Sequence, residues 1–440
     1  MAGRAAPVTV IGAGLAGCEA AFQLAARGVP VRLVDMKPAE RTEAHAADGF
    51  AELVCSNSLR GASLSNAVGL LKEELRRAGS LLVRVADETA VPAGRALAVD
   101  RAAFSRRVGE ELRRLPGVSF ETRRVDALPE AGPAIVATGP LTAPSLLAEL
   151  GRAGALLSYH DAIAPLVSAE SVDRAVAFAA DRYEAQGEGA AYLNCPFDKA
   201  QYHAFVEALV AAEKTPLRGF ETAPFFEGCL PIEEMARRGP MTLAHGPLKP
   251  VGLVDPRTGR WPFAAAQLRP EDAARTAYNL VGFQTRLTRP EQRRVLRLIP
   301  GLERAEIERY GQVHRNAFVD APACLDDRMR LRGAPHVALA GQITGVEGYV
   351  ESIASGLLVG ISTAALALGR DFAPPPPSTA LGGLLGHTRR AAGGYQPSNV
   401  VWAMIACPER PRGEGKREHR ERCADGALAA LEPWLESAVR

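Results

Sequence analysis

The chain has 440 residues, 47% hydrophobic and 23% charged, with a formal net charge of +2. This composition is that of a globular protein too long for one ordinary core, and so small a net charge excludes a global field that draws in nucleic acid, leaving only local patches. Seven cysteines, an odd number without a CxxC pair, argue against a disulfide framework and a structural zinc site.

From Val8 to Gly17 the chain reads VTVIGAGLAG, an apolar strand running into a glycine-rich turn and then into a stretch of helical composition that stops at Gly28. Gly12 permits the tight turn, Gly14 lets backbone approach a pyrophosphate, and Gly17 lets helix and strand pack. The helix N-terminus offers free N–H groups to the anion. A second strand, VRLVD, ends at Asp35, 23 positions after Gly12, where an acid accepts ribose hydroxyls. Gly12, Ala13, Gly14, Leu15, Ala16, Gly17 and Asp35 are therefore the expected dinucleotide-binding residues. No basic-then-apolar leader precedes the first strand, which sets the expectation of a cytoplasmic protein.

Cys55 follows a strand-like run, AlaGluLeuVal, and opens a Ser/Asn loop ahead of the helix NAVGLLKEELRR. A third strand is expected at Ala134–Pro140, ending in a ThrGly turn at Gly139 of the kind seen in two-dinucleotide-type flavoproteins. The middle of the chain then changes character. Helices are expected at SVDRAVAFA (171–179) and KAQYHAFVEALVAAE (199–213), and a hairpin at VGLVDPRTGRWPF (251–263), turning at ThrGly.

Cys229 sits just ahead of a short helix with Pro231 as first residue, Glu233 and Glu234 in the first turn and Gly239 at the C-cap. That position favours thiolate, although Glu227 opposes it. The other cysteines read as buried structural residues. Over residues 284–297 the chain is arginine-rich, and Arg286, Arg289, Arg293 and Arg294 are candidates for phosphate contacts, a solvated helix face being the alternative. Only six of the 52 Lys+Arg residues are lysine.

Beyond residue 330 a strand at His336–Ala340 runs into GQITGVEGYVES, a second glycine turn opening a helix. It supplies Gly341, Gln342, Gly345 and Tyr349 as cofactor-binding candidates, and Tyr349 and Glu351 as residues that could face a flavin ring. The apolar run Ser352–Gly369 reads as a buried helix rather than a membrane span, because of its serines and glycines. After it comes a polyproline segment and a tail whose stretch Glu409–Arg422 reads as partly disordered. Two nucleotide-contacting turns so far apart imply one domain split by an insertion. The expected fold is α/β: a discontinuous two-dinucleotide-type FAD-binding Rossmann-like domain (1–160 and 331–440) with an inserted α+β substrate domain (161–330).

The chain resembles the folate- and FAD-dependent tRNA (uracil-5-)-methyltransferases, the TrmFO family. The resemblance is carried by GAGLAG from Gly12, DGFAELVCSNSLRG from Asp48, NAVGLLKEELRR from Asn66, FFEGCLPIEEMARRG from Phe225, GPLKPVGLVDPRTG from Gly246, HRNAF from His314 and AGQITGVEGYVESIASGL from Ala340. VWAMIA after GYQPSNV, and CLDDRMRL from Cys324, depart from the family pattern.

The resemblance implies bound FAD, methylenetetrahydrofolate as one-carbon donor, NAD(P)H as reductant, and uridine 54 of the tRNA T-loop as target, giving ribothymidine. It implies that the insertion 161–330 serves tRNA and folate and that Arg286, Arg289, Arg293 and Arg294 meet tRNA phosphates; no metal and no membrane partner are expected. Carbon 5 of uracil is too electron-poor to take a one-carbon electrophile directly; a thiolate adding at carbon 6 makes carbon 5 nucleophilic, and a second group removes its proton. Cys229 is taken as nucleophile and Cys55 as proton acceptor or redox-linked partner, the exchanged roles remaining open. His314 is a candidate to stack on the folate pterin or to touch a nucleobase. Two other readings fit the dinucleotide signature: an FAD-dependent NAD(P)H oxidoreductase of a small metabolite, and a non-catalytic FAD-containing tRNA-binding protein.

Overall fold

The computed structural model describes residues 6–153, 156–182, 190–216, 225, 230–390 and 394–438, Arg315 by its backbone alone. Its first sheet has the strand order Arg330–Leu331, Ala334–Leu339, Ala134–Val136, Val8–Ile11, Val31–Asp35, Val118–Thr122. All its neighbours run parallel except the short edge strand Arg330–Leu331. Val337 pairs with Ala134 and Leu339 with Val136, so a strand from far down the chain completes the sheet begun at Val8. The Rossmann-like domain is discontinuous, as the two glycine turns imply.

The helix Leu15–Ala26 follows the first strand, and Gly28, at φ +75°, ends it in the left-handed region that glycine tolerates. Against it lies the helix Tyr349–Ala367, long and apolar enough to cross a membrane by length and composition alone. Every residue from Val350 to Ala364 is buried. Small residues allow the contact: a Cβ on Gly356 would stand 2.2 Å from the Ala16 carbonyl oxygen, and one on Gly360 3.0 Å from Ala20 Cα.

A second sheet, antiparallel throughout, has the order Phe178–Ala179, Leu193–Phe197, Ala264–Pro270, Ala277–Leu280, Leu166–Ser168, Ile307–Arg309. The helix Lys199–Ala211 packs on it, started by a reciprocal capping box between Asp198 and Gln201. Phe197, Tyr202, Phe205, Leu268, Tyr278 and Phe283 fill a core separate from that of the first sheet. A two-stranded ribbon, Leu156–Ala162 against Val313–Val319, joins the two.

Four local expectations are corrected. Residues 171–179 form no helix: Ala177 N–H bonds to the Asp173 carbonyl in a turn, and Phe178 then pairs with Asn194 at the sheet edge. The stretch 251–263 keeps only one bridge, Asp255 to Arg260; Pro250, Pro256 and Pro262 lack donors for a ladder, and the Asp255 carboxylate is spent on Arg257. The run before Cys55 is irregular, and the strand comes after it, at Ser58–Gly61. The tail is ordered where Glu409–Arg422 enters the helix Lys416–Ala438. Ala424, Leu428, Leu431 and Trp434 bury that helix against the first core, and Trp434 Nε1 donates to the Ala373 carbonyl at 2.7 Å.

Candidate active site

The two glycine turns, the end of the second strand and the Thr138–Gly139 turn border one cleft of about 1110 Å³, open solvent at its mouth included. Gly12, Gly14, Leu15, Ala16, Asp35, Gly139, Gly341, Gln342 and Tyr349 line it. A Cβ on Gly14 or Gly139 would meet nothing within 4 Å, so both glycines face open space. A Cβ on Gly12 would lie 2.6 Å from the Ala137 carbonyl oxygen, and one on Gly17 1.8 Å from that of Gly12. Backbone packing therefore demands Gly12 and Gly17, and Gly139 sits at φ +69°, in the left-handed region that favours glycine. Gly14 leads into the helix with no side-chain cap and no acid in the first turn, leaving N–H groups for a pyrophosphate. The cradle fits an FAD.

Asp35 also has a structural part. Its Oδ2 accepts from Ala13 N–H at 2.6 Å and its Oδ1 from Lys37 N–H at 2.8 Å, so the carboxylate also ties the glycine turn to the second strand. Lone pairs remain on the carboxylate for a further donor in the cleft. Ala13 and Gly17 act from behind the cleft. Gly345, at φ +82°, packs against Tyr395, where a Cβ would come within 2.5 Å of the ring. Sequence reading missed Lys37, Glu52 and Thr138 in the lining. Lys37 Nζ donates to the Gly49 carbonyl at 2.6 Å, and Glu52 accepts from Ala46 and Ala47 N–H. Glu52 stands in the same DGFAELVC segment as Cys55, which was the available signal.

At one end of the cleft Tyr349 reaches out of the lining. Its hydroxyl oxygen accepts from Cys55 N–H at 2.7 Å and from Ser56 N–H at 3.1 Å. Cys55 thus stands beside the cofactor site, one residue from the lining residue Val54. Burial pushes its thiol up to about 12; Asp161 and Glu347 add to that, while Arg101 and Arg309 oppose it. Glu347 is itself pushed up to about 8, first by burial and then by Asp161. It accepts from Gln342 Nε2 at 2.9 Å and from the Tyr159 hydroxyl, which in turn accepts from Asn316 Nδ2 at 3.1 Å. Glu351 turns away from the cleft, pairing with Arg60 and accepting from Val400 N–H at 2.8 Å.

His314, on the ribbon, is 5% exposed. Its Nδ1 lies 3.1 Å from Glu43 Oε1, and its buried Nε2 has no hydrogen-bond partner among the described residues. Cys229 lies outside the described residues. The helix it precedes runs Ile232–Arg237 with Pro231 as N-cap, one place earlier than expected, and Gly239 follows the C-cap. Glu233 is buried and accepts from Thr285 and Arg286 rather than facing solvent.

The four arginines divide. Arg286 pairs with Glu234 at 2.7 Å and lies over the Phe225 ring; Arg294 pairs with Glu291. Arg289 stacks over Tyr310, and Arg293 donates to the Tyr310 hydroxyl at 2.8 Å. Of the remaining cysteines, Cys18 donates to the Ala13 carbonyl and Cys324 to that of Asp320, while Cys195 is fully buried. Among the described residues no group of three or more His, Cys, Asp or Glu side chains could hold a metal ion.

A family model described as "Glucose inhibited division protein A" matches residues 7–371. The "Methylenetetrahydrofolate--tRNA-(uracil-5-)-methyltransferase TrmFO" of Anaeromyxobacter dehalogenans strain 2CP-C is 57% identical over 438 residues, 98% of this chain and 97% of the relative. The protein of the same description from Geobacter sulfurreducens is 55% identical over 433 residues, 97% of this chain and 98% of the relative. Among solved structures, Aquifex aeolicus GidA in its form II crystal superposes with a TM-score of 0.70 at 15% identity, covering 100% of this chain and 75% of its own, a likeness of fold.

Proposed function

The chain belongs to the TrmFO family of tRNA (uracil-5-)-methyltransferases, and from that premise we propose that its target is uridine 54 of the T-loop, with Cys229 and Cys55 as the working thiols and NAD(P)H as reductant. It is an FAD-dependent enzyme that methylates a tRNA uracil at carbon 5 with a one-carbon unit from methylenetetrahydrofolate. The single observation that carries the residue assignment is the bond from Cys55 N–H to the cleft-lining Tyr349. It supports a thiol beside the cofactor cleft.

When bound and reduced, FAD carries the one-carbon unit and supplies the hydride that makes it a methyl. The protein's own groups handle the base. The thiolate of Cys229 forms a bond to uracil carbon 6, and the electron pair moves to carbon 5, which attacks the one-carbon unit. Cys55, as thiolate, then takes the carbon 5 proton while the bond between the one-carbon unit and its carrier breaks, which leaves a methylene on carbon 5; hydride addition to that methylene makes the methyl and expels the Cys229 thiolate from carbon 6, restoring the double bond. Its role as acceptor requires prior loss of its own proton, which the Arg101 and Arg309 guanidiniums favour against burial. We assign His314 to the pterin or a nucleobase through its buried Nε2, which has no partner among the described residues. Arg289 and Arg293, arrayed on Tyr310, offer charge and an aromatic face to RNA, whereas the carboxylate partners of Arg286 and Arg294 leave less charge for phosphate.

The inserted unit, taken as 161–330, is the part we assign to tRNA and folate. We place the enzyme in the cytoplasm; its long apolar helix packed inside the core supports this. The test is label transfer from methylenetetrahydrofolate to carbon 5 in an unmodified T-loop transcript, with NAD(P)H and flavin-loaded protein. Cys229→Ala is expected to abolish incorporation and keep FAD; retained methylation removes the assigned nucleophile.

A further inference from the structure

The segment Leu53–Ser56 has no regular secondary structure, yet its peptide groups are held by side chains from three distant places. Arg101 Nη1, from the first turn of the helix Arg101–Arg114, donates to the Leu53 carbonyl at 2.5 Å. Arg309 closes the edge strand of the inserted sheet and donates through Nη1 to the Val54 carbonyl at 3.4 Å and through Nη2 to that of Cys55 at 3.1 Å. The N–H groups of Cys55 and Ser56 are taken by Tyr349. Just beyond, Asn57 Nδ2 donates to the Pro270 and Glu271 carbonyls, and its Oδ1 accepts from Arg269 Nε, so the following residue is pinned to the inserted sheet too. Glu271 pairs with Arg101 across the same junction at 2.5 Å.

Backbone bonds that would ordinarily fix a strand or helix are here replaced by two guanidiniums and a phenol. We propose that Arg309 is a positioning residue for Cys55: its forked guanidinium, entering from the inserted domain, holds the Val54 and Cys55 carbonyls and so sets where the thiol stands beside the cofactor cleft. A fork that grips two successive carbonyls fixes a peptide's orientation as a single ammonium cannot. Because Arg309 belongs to the inserted domain and Tyr349 to the cofactor domain, the thiol is in place only when the two units are docked. Arg309 also acts on its charge. The groups facing Cys55 are Asp161 and Glu347, which favour the thiol, and Arg101 and Arg309, which favour the thiolate, with Arg269 and Tyr349 nearby.

This inference rests on the assignment of Cys55 as a working thiol, and the experiment separates the two. Arg309→Gln, Arg309→Lys and Cys55→Ala are prepared as flavin-loaded full chains. FAD content, reduction by NAD(P)H, methyl incorporation into the T-loop transcript, and iodoacetamide alkylation of the Cys55 peptide against pH by mass spectrometry are measured. Arg309→Gln is expected to keep its flavin and its reduction, to lose about tenfold to a hundredfold in methyl transfer, and to shift alkylation of Cys55 to higher pH. Arg309→Lys is expected to restore the alkylation profile but not the rate, since it returns the charge without the fork. Methyl transfer within about twofold of wild type together with an unmoved alkylation profile in Arg309→Gln overturns the proposal. Where the Gln variant loses flavin, Arg309→Lys decides: a wild-type rate overturns it and a reduced rate with the wild-type profile supports it. Methylation that survives in Cys55→Ala removes the thiol's assignment itself, whereas a dead Cys55→Ala beside a normal Arg309→Gln removes only the clamp.

Discussion

The turn Gly12–Gly17 and the loop Leu53–Ser56 border the same cofactor region and are held by opposite means. The turn is fixed from within: a strand, a helix and glycines whose missing Cβ atoms let backbone meet backbone. The loop is fixed from outside, by Arg101, Arg309 and Tyr349. Cofactor binding should therefore fail when the local backbone is disturbed, and methyl transfer should fail, with flavin retained, when a remote side chain is shortened.

Gly17→Ala sets that contrast at its sharpest. The new Cβ would stand 1.8 Å from the Gly12 carbonyl oxygen, so a loss of about 3 kcal/mol or more in stability is expected. Purified protein should be colourless, with its unfolding midpoint lowered; a yellow, stable variant would break the comparison.

Tyr349→Phe keeps the aromatic wall and removes only the acceptor for two N–H groups. Leaving them unpaired costs about 1–3 kcal/mol locally. Flavin content should hold while kcat for methylation drops about tenfold. Parallel loss of flavin would show that the loop and the cleft are not separable.

Glu347 gives an effect seen only in the pH dependence of stability. Its folded carboxyl lies at about 8, raised from the ordinary 4.5 by burial. Between those values the unfolded chain releases a proton that the folded protein holds, so this group's contribution to stability is full below 4.5 and is lost as pH rises to about 8. Glu347→Gln should flatten that slope in unfolding midpoints measured from pH 5 to 8.5; an unchanged slope would place the titration elsewhere.

How legible the site was follows the same division. The cleft was readable because Gly12, Gly14, Asp35, Gly139, Gly341 and Tyr349 each sit in a segment whose own sequence states its geometry. Cys55 could be singled out as a thiol in a loop, but not its neighbours, since Arg101, Arg309 and Tyr349 lie 46, 254 and 294 positions away. Glu43 beside His314 was invisible for the same reason. Errors in the fold had related causes. Residues 171–179 have helical composition, but sheet pairing with Asn194 outweighs a propensity worth tenths of a kcal/mol per residue. The polar stretch Glu409–Arg422 looked unstructured, yet the apolar face of Ala424, Leu428, Leu431 and Trp434 beyond it supplies the burial that orders the helix.

By itself, then, the sequence determined what depends on a few consecutive residues: the glycine turns, the strands feeding them, the buried small-residue helix and hence the split cofactor domain. Backbone sterics act over a turn or two, and a single sequence records them directly. Tertiary structure alone decided which side chains hold Cys55, which carboxyl beside it is pushed up by burial, and which arginines are paired with carboxylates. Those outcomes depend on burial and on distances between segments hundreds of residues apart, which are properties of the packed chain and not of any stretch of it.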